Sequence, residues 1–206
     1  SDMHTNISYV YYGHFSQTLG WKQVLGTEDR IDSIWEEAIL KQIHPDDLRE
    51  KYLQELRFFH FMRRQPKMKR ADFYLASKLR MKDGAGNYQF VLHRLFYVSS
   101  PVENGLWLAL CVYTPWLPMF SGKSVVVNSV TGEVMELARR HDSQILSYRE
   151  TQILRLIAKG MMSKDIAILL SISINTVSRH RQEILRKLQV KSSIEACRVA
   201  KELGIM

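Results

Sequence analysis

The last third of the chain places apolar residues three or four positions apart, the spacing of one face of a helix. Four such segments lie between residues 146 and 206, and each opens near a serine, the residue type favoured at helix N-caps. Two of the openings, Ser147 with Glu150 and Ser192 with Glu195, have the spacing of a capping box. The pattern predicts an all-α C-terminal domain of four helices over 146–206.

The second and third predicted helices are separated by a turn of only three residues, 171–173. The second helix opens at Ser163, and the third runs from about 174 to 188. A short helix, a tight turn and a longer helix are typical of a helix-turn-helix. At 1.5 Å per residue, the third helix is long enough to lie in a major groove of DNA. Its buried face is predicted to consist of Val177, Ile184 and Leu188.

The opposite face of the third helix is polar. Base contacts are predicted from Ser178, Arg179 and Gln182. Arg179 is the expected principal reader, because arginine pairs bidentately with guanine, and Gln182 is suited to adenine. Phosphate contacts position a protein without specifying sequence. They are predicted for Lys164, Thr176, Arg181 and Lys187.

Residues 1–120 have a different pattern. A strand near 9–12 and short helical pieces around Leu19-Gly20-Trp21 and Leu25-Gly26 precede a helix from Leu48 to about Arg63. Its inward face is predicted to carry Leu48, Tyr52, Leu56 and Phe59. Three strands within 73–114 then follow, the first two joined by a turn at 83–87. This order predicts an α+β domain in which helices cover one face of an antiparallel sheet.

Residues 121–145 are predicted to form a linker. Ser124–Val127 and Glu133–Met135 suggest a short hairpin within it, and residues 137–141 suggest a helical lead-in to the C-terminal domain. The aromatic residues of the first domain are predicted to be core, namely Trp35, Phe58, Phe59, Phe61, Phe90 and Trp107.

The charge of the chain is concentrated at its C-terminal end. Of a net charge of +8, residues 146–206 hold 11 Lys+Arg against 5 Asp+Glu, or +6. That asymmetry favours a nucleic-acid-binding domain. No apolar run approaches the roughly 18 residues that span a bilayer, and the first residues lack a signal pattern, so we predict a cytoplasmic protein without a membrane partner. Two cysteines, Cys111 and Cys197, cannot build a disulfide framework or a zinc site, and no metal is predicted.

Six blocks occur in a fixed order and together cover essentially all of 146–206: Leu146–Glu150, Ile157–Gly160, Ser163–Ala167, Leu170–Ser173, Asn175–His180 and Lys187–Ser192. Together they resemble the LuxR/NarL-type helix-turn-helix. The resemblance implies a bacterial transcription regulator whose third helix enters the major groove and whose last helix packs against its mate on DNA. Ser178, Arg179 and Gln182 depart from the residues common in the family, so the base preference of relatives does not transfer.

The first domain contains the short blocks Leu19–Trp21, Ile43–Asp47 and Arg80–Gly84, followed by the strand Tyr88–Arg94. In this order they resemble a PAS sensor domain over roughly residues 7–116. The resemblance implies either a small-molecule pocket between sheet and helices or a dimer interface on the sheet. A competing resemblance to acyl-homoserine-lactone domains is disfavoured by the hairpin at 82–84.

No cofactor is evident, and the sequence leaves a small-molecule ligand of the first domain open. His60 could ligate haem iron, but a lone histidine among aromatics is more often a core residue. Cys111 is interpreted as packing and His44 as a capped turn. Gly-rich phosphate loops, His-Glu-x-x-His pairs and Gly-x-Ser-x-Gly elbows do not occur in the sequence, so an enzyme is not predicted.

The sequence thus predicts a one-component transcription regulator that binds double-stranded DNA as a homodimer, with half-sites about one helical turn apart. RNA polymerase is a further candidate partner, and the direction of regulation stays open. Two alternatives remain: a haem- or flavin-type sensor or redox protein, and a protein-interaction scaffold. In both, the C-terminal helices would serve as an adaptor.

Overall fold

The computed structural model describes residues 1–21, 30–34, 36–102, 105–137 and 145–206, apart from the side chain of Glu202. The chain divides into two compact units, Ser1–Leu137 and Ala138–Met206. Three sequence predictions lie outside the described residues: the turn at Leu25-Gly26, the core position of Trp35 and most of the lead-in helix at 137–141. None of the described helices has the length and apolar character needed to cross a bilayer.

The first unit combines short helices with a large antiparallel sheet. Its helices are α1 (His14–Thr18), α2 (Glu37–Leu40) and α3 (Pro45–Arg64), and a 3₁₀ helix spans Lys67–Asp72. Its strands are β1 (Ser8–Tyr9), β2 (Arg30–Ile31), β3 (Phe73–Lys82), β4 (Tyr88–Ser99), β5 (Leu106–Pro115), β6 (Ser124–Asn128) and β7 (Val134–Met135).

Strands β3 to β7 form one five-stranded sheet in the order β5-β4-β3-β6-β7, with every neighbouring pair antiparallel. The three strands predicted within 73–114, which are β3, β4 and β5, are therefore confirmed. The turn at 83–87 is held by the Asp83 carboxylate, which accepts the backbone N–H groups of Ala85 and Asn87 at 2.9 Å each. Gly86 adopts φ +86° there, a conformation that glycine reaches without a steric cost.

The predicted linker begins, instead, as part of the sheet. Strand β6 pairs with β3 from Phe73 opposite Asn128 to Ser77 opposite Ser124. The expected hairpin does form, since β6 also pairs with β7. Val125 and Val126 of β6 are 3% and 0% exposed, one on each face of the sheet. The boundary at residue 120 was therefore wrong, because burial of these valines depends on a strand that lies about 50 residues earlier in the chain.

Helix α3 lies on the sheet face that carries Leu75 and Leu95. The predicted inward face of this helix is confirmed in part: Leu56 is buried, Leu48 and Phe59 are half-buried and pack against core clusters, and Tyr52 is half-buried. The buried apolar residues of α3 are Leu53, Leu56, Phe58 and Met62. Periodicity of apolar residues did not reveal the whole buried face, because several polar side chains of α3 are buried too. These are Asp47, Lys51, Gln54 and Arg57.

The aromatic residues expected in the core differ in their environments. Phe58 is fully buried and stacks on Tyr97 with ring centroids 5.5 Å apart. Phe59 and Phe61 pack against the same cluster and Trp107 is half-buried. The core prediction for Phe90 was wrong: it is 52% exposed, and Lys78 Nζ lies 4.0 Å from its ring centroid. Phe90 lies near the start of β4, next to the turn at 83–87, and its side chain remains in contact with solvent there.

The N-terminus of α3 is fastened to the sheet by an ion pair. The Asp47 carboxylate accepts two hydrogen bonds of 2.8 Å from the Arg80 guanidinium and one of 2.9 Å from the Arg80 backbone N–H. Burial alone would raise the pKa of Asp47, but these bonds and the charge of Arg80 outweigh it and leave that pKa below its ordinary value. His44 caps the same helix end by accepting the Asp46 backbone N–H, as expected for a capped turn.

We predict that Asp47→Asn lowers the free energy of unfolding at pH 7 by about 2 kcal/mol, because it removes a charge-assisted, bidentate pair. The pKa of Asp47 is lower folded than unfolded, so its stabilisation is complete above the ordinary value of 3.8 and is lost as pH falls through the lowered pKa. Urea unfolding from pH 7 to pH 3 measures this difference.

The matched control for that measurement is Asp46→Asn, since the Asp46 side chain is 74% exposed. Its expected effect is within about 0.5 kcal/mol. Equal losses in the two variants, or a gap between Asp47→Asn and the native protein that stays constant with pH, would contradict the assigned role of Asp47.

Candidate nucleic-acid interface

The second unit is built from helices α4 (Tyr148–Ala158), α5 (Ser163–Leu169), α6 (Ile174–Leu188) and α7 (Ser193–Leu203). Helix α4 begins with the predicted capping box: Ser147 Oγ accepts the Glu150 backbone N–H at 3.2 Å, and the Glu150 carboxylate accepts the Ser147 backbone N–H at 2.7 Å. Ile153 and Leu154 are fully buried, whereas Ala158 is exposed near the end of the helix.

The turn between α5 and α6 has the tight geometry that the sequence indicated. Ser171 adopts φ +52°, a left-handed conformation that reverses the chain in few residues. Ser173 then caps α6, its Oγ accepting the Thr176 backbone N–H at 3.0 Å. The predicted bounds of this helix, 174–188, are confirmed, and so is its buried face. Val177, Ile184 and Leu188 are each at most 2% exposed.

The polar face of α6 lies in solvent. Ser178, Arg179 and Gln182, the predicted base contacts, are all exposed. The acid at the edge of this face, Glu183, accepts a hydrogen bond of 3.1 Å from Arg186 Nε. The same contact with Arg186 is the largest reason that the pKa of Glu183 is lowered. The face therefore offers donors to an anionic partner while its carboxylate is already paired.

The four predicted phosphate contacts have different surroundings. Lys164 is exposed in the first turn of α5. Thr176 Oγ1 lies 2.9 Å from Ser173 Oγ at the start of α6. Arg181 donates to Ser163 Oγ at 2.8 Å and to Ser193 Oγ at 2.9 Å, and Lys187 Nζ lies 2.7 Å from a Glu150 carboxylate oxygen. The last two side chains thus connect α6 to the helices around it, and their phosphate role stays a prediction.

Glu150 joins two helices with one carboxylate, because it closes the capping box of α4 and pairs with Lys187 of α6. The side chains of the pair are 6% and 22% exposed. Burial alone would raise the pKa of Glu150, but the hydrogen bond from Lys187 and the bond from Ser147 outweigh it, so this pKa is lowered. Sequence reasoning found the capping box and missed the ion pair, because 37 residues separate its members.

Arg149 is a further connection that the sequence did not reveal. Its guanidinium donates to the backbone carbonyl of Leu170 at 3.0 Å, and to Gln152 Oε1 at 2.8 Å. The Leu170 carbonyl lies at the end of α5, where carbonyl groups lack partners within the helix. Arg149 therefore satisfies one of these groups and links α4 to the turn before α6.

Helix α7 begins with a partial version of the predicted box. Ser192 Oγ accepts the Glu195 backbone N–H at 3.2 Å, as expected. The Glu195 carboxylate accepts the N–H of Lys191 rather than that of Ser192, also at 3.2 Å. The helix ends at Gly204, whose φ of +68° forms a left-handed C-terminal cap.

Comparison with known proteins places a family match on this unit. Residues 144–200 match the family described as bacterial regulatory proteins, luxR family. The "Uncharacterized response regulatory protein YgeK" of Escherichia coli (strain K12) is 39% identical over 79 residues, 38% of this chain and 54% of that protein. The "Uncharacterized transcriptional regulatory protein YvfU" of Bacillus subtilis (strain 168) is 39% identical over 83 residues, 40% of this chain and 39% of that protein.

A further relative is the "Oxygen regulatory protein NreC" of Staphylococcus aureus (strain MRSA252). It is 41% identical over 100 residues, which are 47% of this chain and 46% of that protein. The chain thus spans about half the length, or less, of these curated relatives. Among solved structures, a Vibrio cholerae VqmA–ligand–DNA complex aligns over 66% of this chain and 57% of that chain, with 13% identity and a TM-score of 0.28. Such a superposition is too weak to support a structural argument.

We predict that Glu150→Gln lowers the free energy of unfolding of the second unit by about 2 kcal/mol. The amide keeps an acceptor for the Ser147 N–H but leaves the Lys187 ammonium without its partly buried counter-ion. Helical circular dichroism followed through a denaturant titration measures the loss. Glu195→Gln is the control, since its carboxylate binds an exposed N–H and is expected to change stability by less than about 0.5 kcal/mol. If Glu150→Gln leaves the free energy of unfolding unchanged, the Glu150–Lys187 pair does not stabilise the second unit.

Proposed function

We propose that this protein is a sequence-specific, DNA-binding transcription regulator and that α6 enters the major groove. The observation that carries the proposal is the exposed polar face of a helix whose opposite side is fully buried, in a segment that matches the luxR family of bacterial regulatory proteins. The net charge of +6 over residues 146–206 adds the sequence-independent attraction to phosphates.

Within this proposal the residues of the second unit divide into two groups. Arg179, Gln182 and Ser178 are the base readers, since each is exposed on one face of α6. Lys164 and Thr176 are the proposed phosphate contacts at the starts of α5 and α6. Arg181 and Lys187 keep α6 in position through their bonds to serines and Glu150, and any phosphate contact they make would have to share or replace those bonds.

The proposal includes a homodimer on DNA. Two copies bound to half-sites about one helical turn apart would present two α6 helices on the same side of the duplex. Helices α5 and α7 carry exposed apolar side chains that are available for contacts between copies. Ile168 is 71% exposed and Ile194 is 85% exposed. Recruitment or blocking of RNA polymerase would follow from where such a dimer binds relative to a promoter.

We further propose that the first unit is a PAS-like sensor that modulates DNA binding through a ligand or partner. Its five-stranded antiparallel sheet, with α3 packed on one face, supports the proposal. The sequence pieces Ile43–Asp47 and Arg80–Gly84, on which the resemblance was based, are linked by the Asp47–Arg80 ion pair. The decisive experiment for the whole proposal is selection of bound fragments from random DNA by the full chain, followed by footprinting of a selected sequence.

On the selected sequence, Arg179→Ala is expected to weaken binding by about 1–3 kcal/mol and to relax specificity at one base pair. The loss of a bidentate base contact acts on the cognate sequence and leaves nonspecific binding nearly unchanged. Electrophoretic mobility shifts on the cognate site and on each single-base variant measure both effects. An equal loss on every DNA sequence would show that Arg179 contacts phosphate only.

Lys164→Ala is expected to weaken binding uniformly across sequences. Removal of one phosphate contact should reduce the magnitude of the log–log salt slope by about 0.9. Fluorescence anisotropy between low and moderate salt measures this slope. Lys201→Ala, an exposed lysine of α7, serves as the control and should leave the slope unchanged. Equal slopes for the native protein and Lys164→Ala would remove Lys164 from the interface.

A further inference from the structure

Three side chains with metal-binding atoms meet beneath helix α3. Glu55 lies on α3, His93 on β4 and Cys111 on β5, and their ligand atoms all lie within 4.8 Å of one another. His93 pairs with Tyr113 and Cys111 with Leu95 across the two strands, so both side chains face the same side of the sheet. A carboxylate, an imidazole and a thiol from three different elements therefore converge at one point inside the first unit.

His93 is the feature that packing alone does not explain. It is 0% exposed, and neither of its ring nitrogens has a hydrogen-bond partner in the described part of the chain. Its Nε2 lies 3.8 Å from Glu55 Oε1, too far for a hydrogen bond. A buried imidazole normally satisfies at least one nitrogen, because an unmade bond costs free energy. Tyr113 covers the ring at a centroid distance of 4.8 Å, which fixes its plane without satisfying its nitrogens.

A cation already sits against the carboxylate of this cluster. Lys51 Nζ, one turn before Glu55 on α3, lies 2.8 Å from both of its carboxylate oxygens, and the Lys51 side chain is 6% exposed. The Glu55 carboxylate thus has a cationic partner, whereas the ring nitrogens of His93 have no hydrogen-bond partner among the described residues.

We propose that Glu55, His93 and Cys111 form a binding site for a transition-metal ion of the Zn²⁺ class, which replaces Lys51 as the cation beside Glu55. Nitrogen, sulfur and oxygen donors in this combination suit such ions, and three protein ligands leave a fourth position open. In a tetrahedral site the ligand atoms lie about 3.5 Å apart, so the present cluster needs to contract by roughly one ångström. The site is independent of the proposed DNA-binding function.

The protonation of the three ligands sets the stoichiometry of binding. Cysteine ligates such a metal as the thiolate, whereas histidine ligates through a neutral ring nitrogen. The S–H bond of Cys111 therefore breaks as the metal–sulfur bond forms, and one proton leaves to solvent for each metal bound.

Cobalt(II) is the probe that tests the site, because its thiolate complexes absorb in the near ultraviolet and its tetrahedral complexes absorb strongly in the visible. The full chain, reduced and held without oxygen, is titrated with Co²⁺ and then with Zn²⁺. The expected result is a thiolate-to-cobalt band that saturates at one equivalent and disappears when Zn²⁺ is added. Cys111→Ser should abolish the band, and the matched variant Cys197→Ser should retain it.

Lys51→Met keeps the proposal testable if Cys111→Ser does not fold. This variant leaves Glu55 without its counter-ion, so Zn²⁺ should raise the melting temperature of Lys51→Met by more than it raises that of the native protein. A native protein that shows no thiolate band, a band that persists in Cys111→Ser, or equal stabilisation of Lys51→Met and the native protein by Zn²⁺ would overturn the assignment.

Discussion

The position of α6 depends on how its inner side is fixed. Val177, Ile184 and Leu188 are buried on one face, and the burial of this apolar surface stabilises the helix against the rest of the unit. Apolar packing alone has little directional preference. The Lys187–Glu150 ion pair and the hydrogen bonds from Arg181 to Ser163 and Ser193 therefore fix how α6 is rotated about its axis and how far it is shifted along that axis. Because the inner side is so constrained, the outer side can carry polar residues that take no part in folding.

The outer face is consequently free to vary in sequence without cost to the fold. Ser178, Arg179 and Gln182 lie in solvent, and substitution of exposed residues usually changes stability by only a few tenths of a kcal/mol. A domain of this kind separates the residues that hold the helix from the residues that can read a ligand.

The first unit differs from the second, because several polar side chains lie in its interior. Asp47, Lys51, Arg57 and His93 are buried where α3 meets the sheet, and most of them are paired. Buried charges of this kind are costly unless each has a partner, so they fix the approach of the helix to the sheet closely. The ring nitrogens of His93 differ from these groups, because they have no hydrogen-bond partner among the described residues, and for this reason the cluster suggests a ligand.

Sequence patterns predicted the helices and the tight turn of the second unit, because the residues that define these elements lie close together along the chain. Caps at Ser147 and Ser173, the tight turn at 171–173 and the 7- and 4-residue spacing of Val177, Ile184 and Leu188 all lie within one or two helical turns of the feature they predict. The same reasoning assigned Arg181 and Lys187 to phosphate without anticipating their partners. Their hydrogen-bond and ion-pair partners lie 12 to 37 residues away, beyond the reach of any periodicity.

In the first unit, local patterns of apolar residues and the turn at 83–87 predicted strands β3, β4 and β5. Only the tertiary structure decided that β6 joins β3, that α3 turns Phe58 and Met62 inward and that Glu55, His93 and Cys111 meet. Each of these outcomes depends on which surfaces become available once distant segments come together. The sequence by itself determined the local elements and the basic, exposed face of α6, because those follow from neighbouring residues alone.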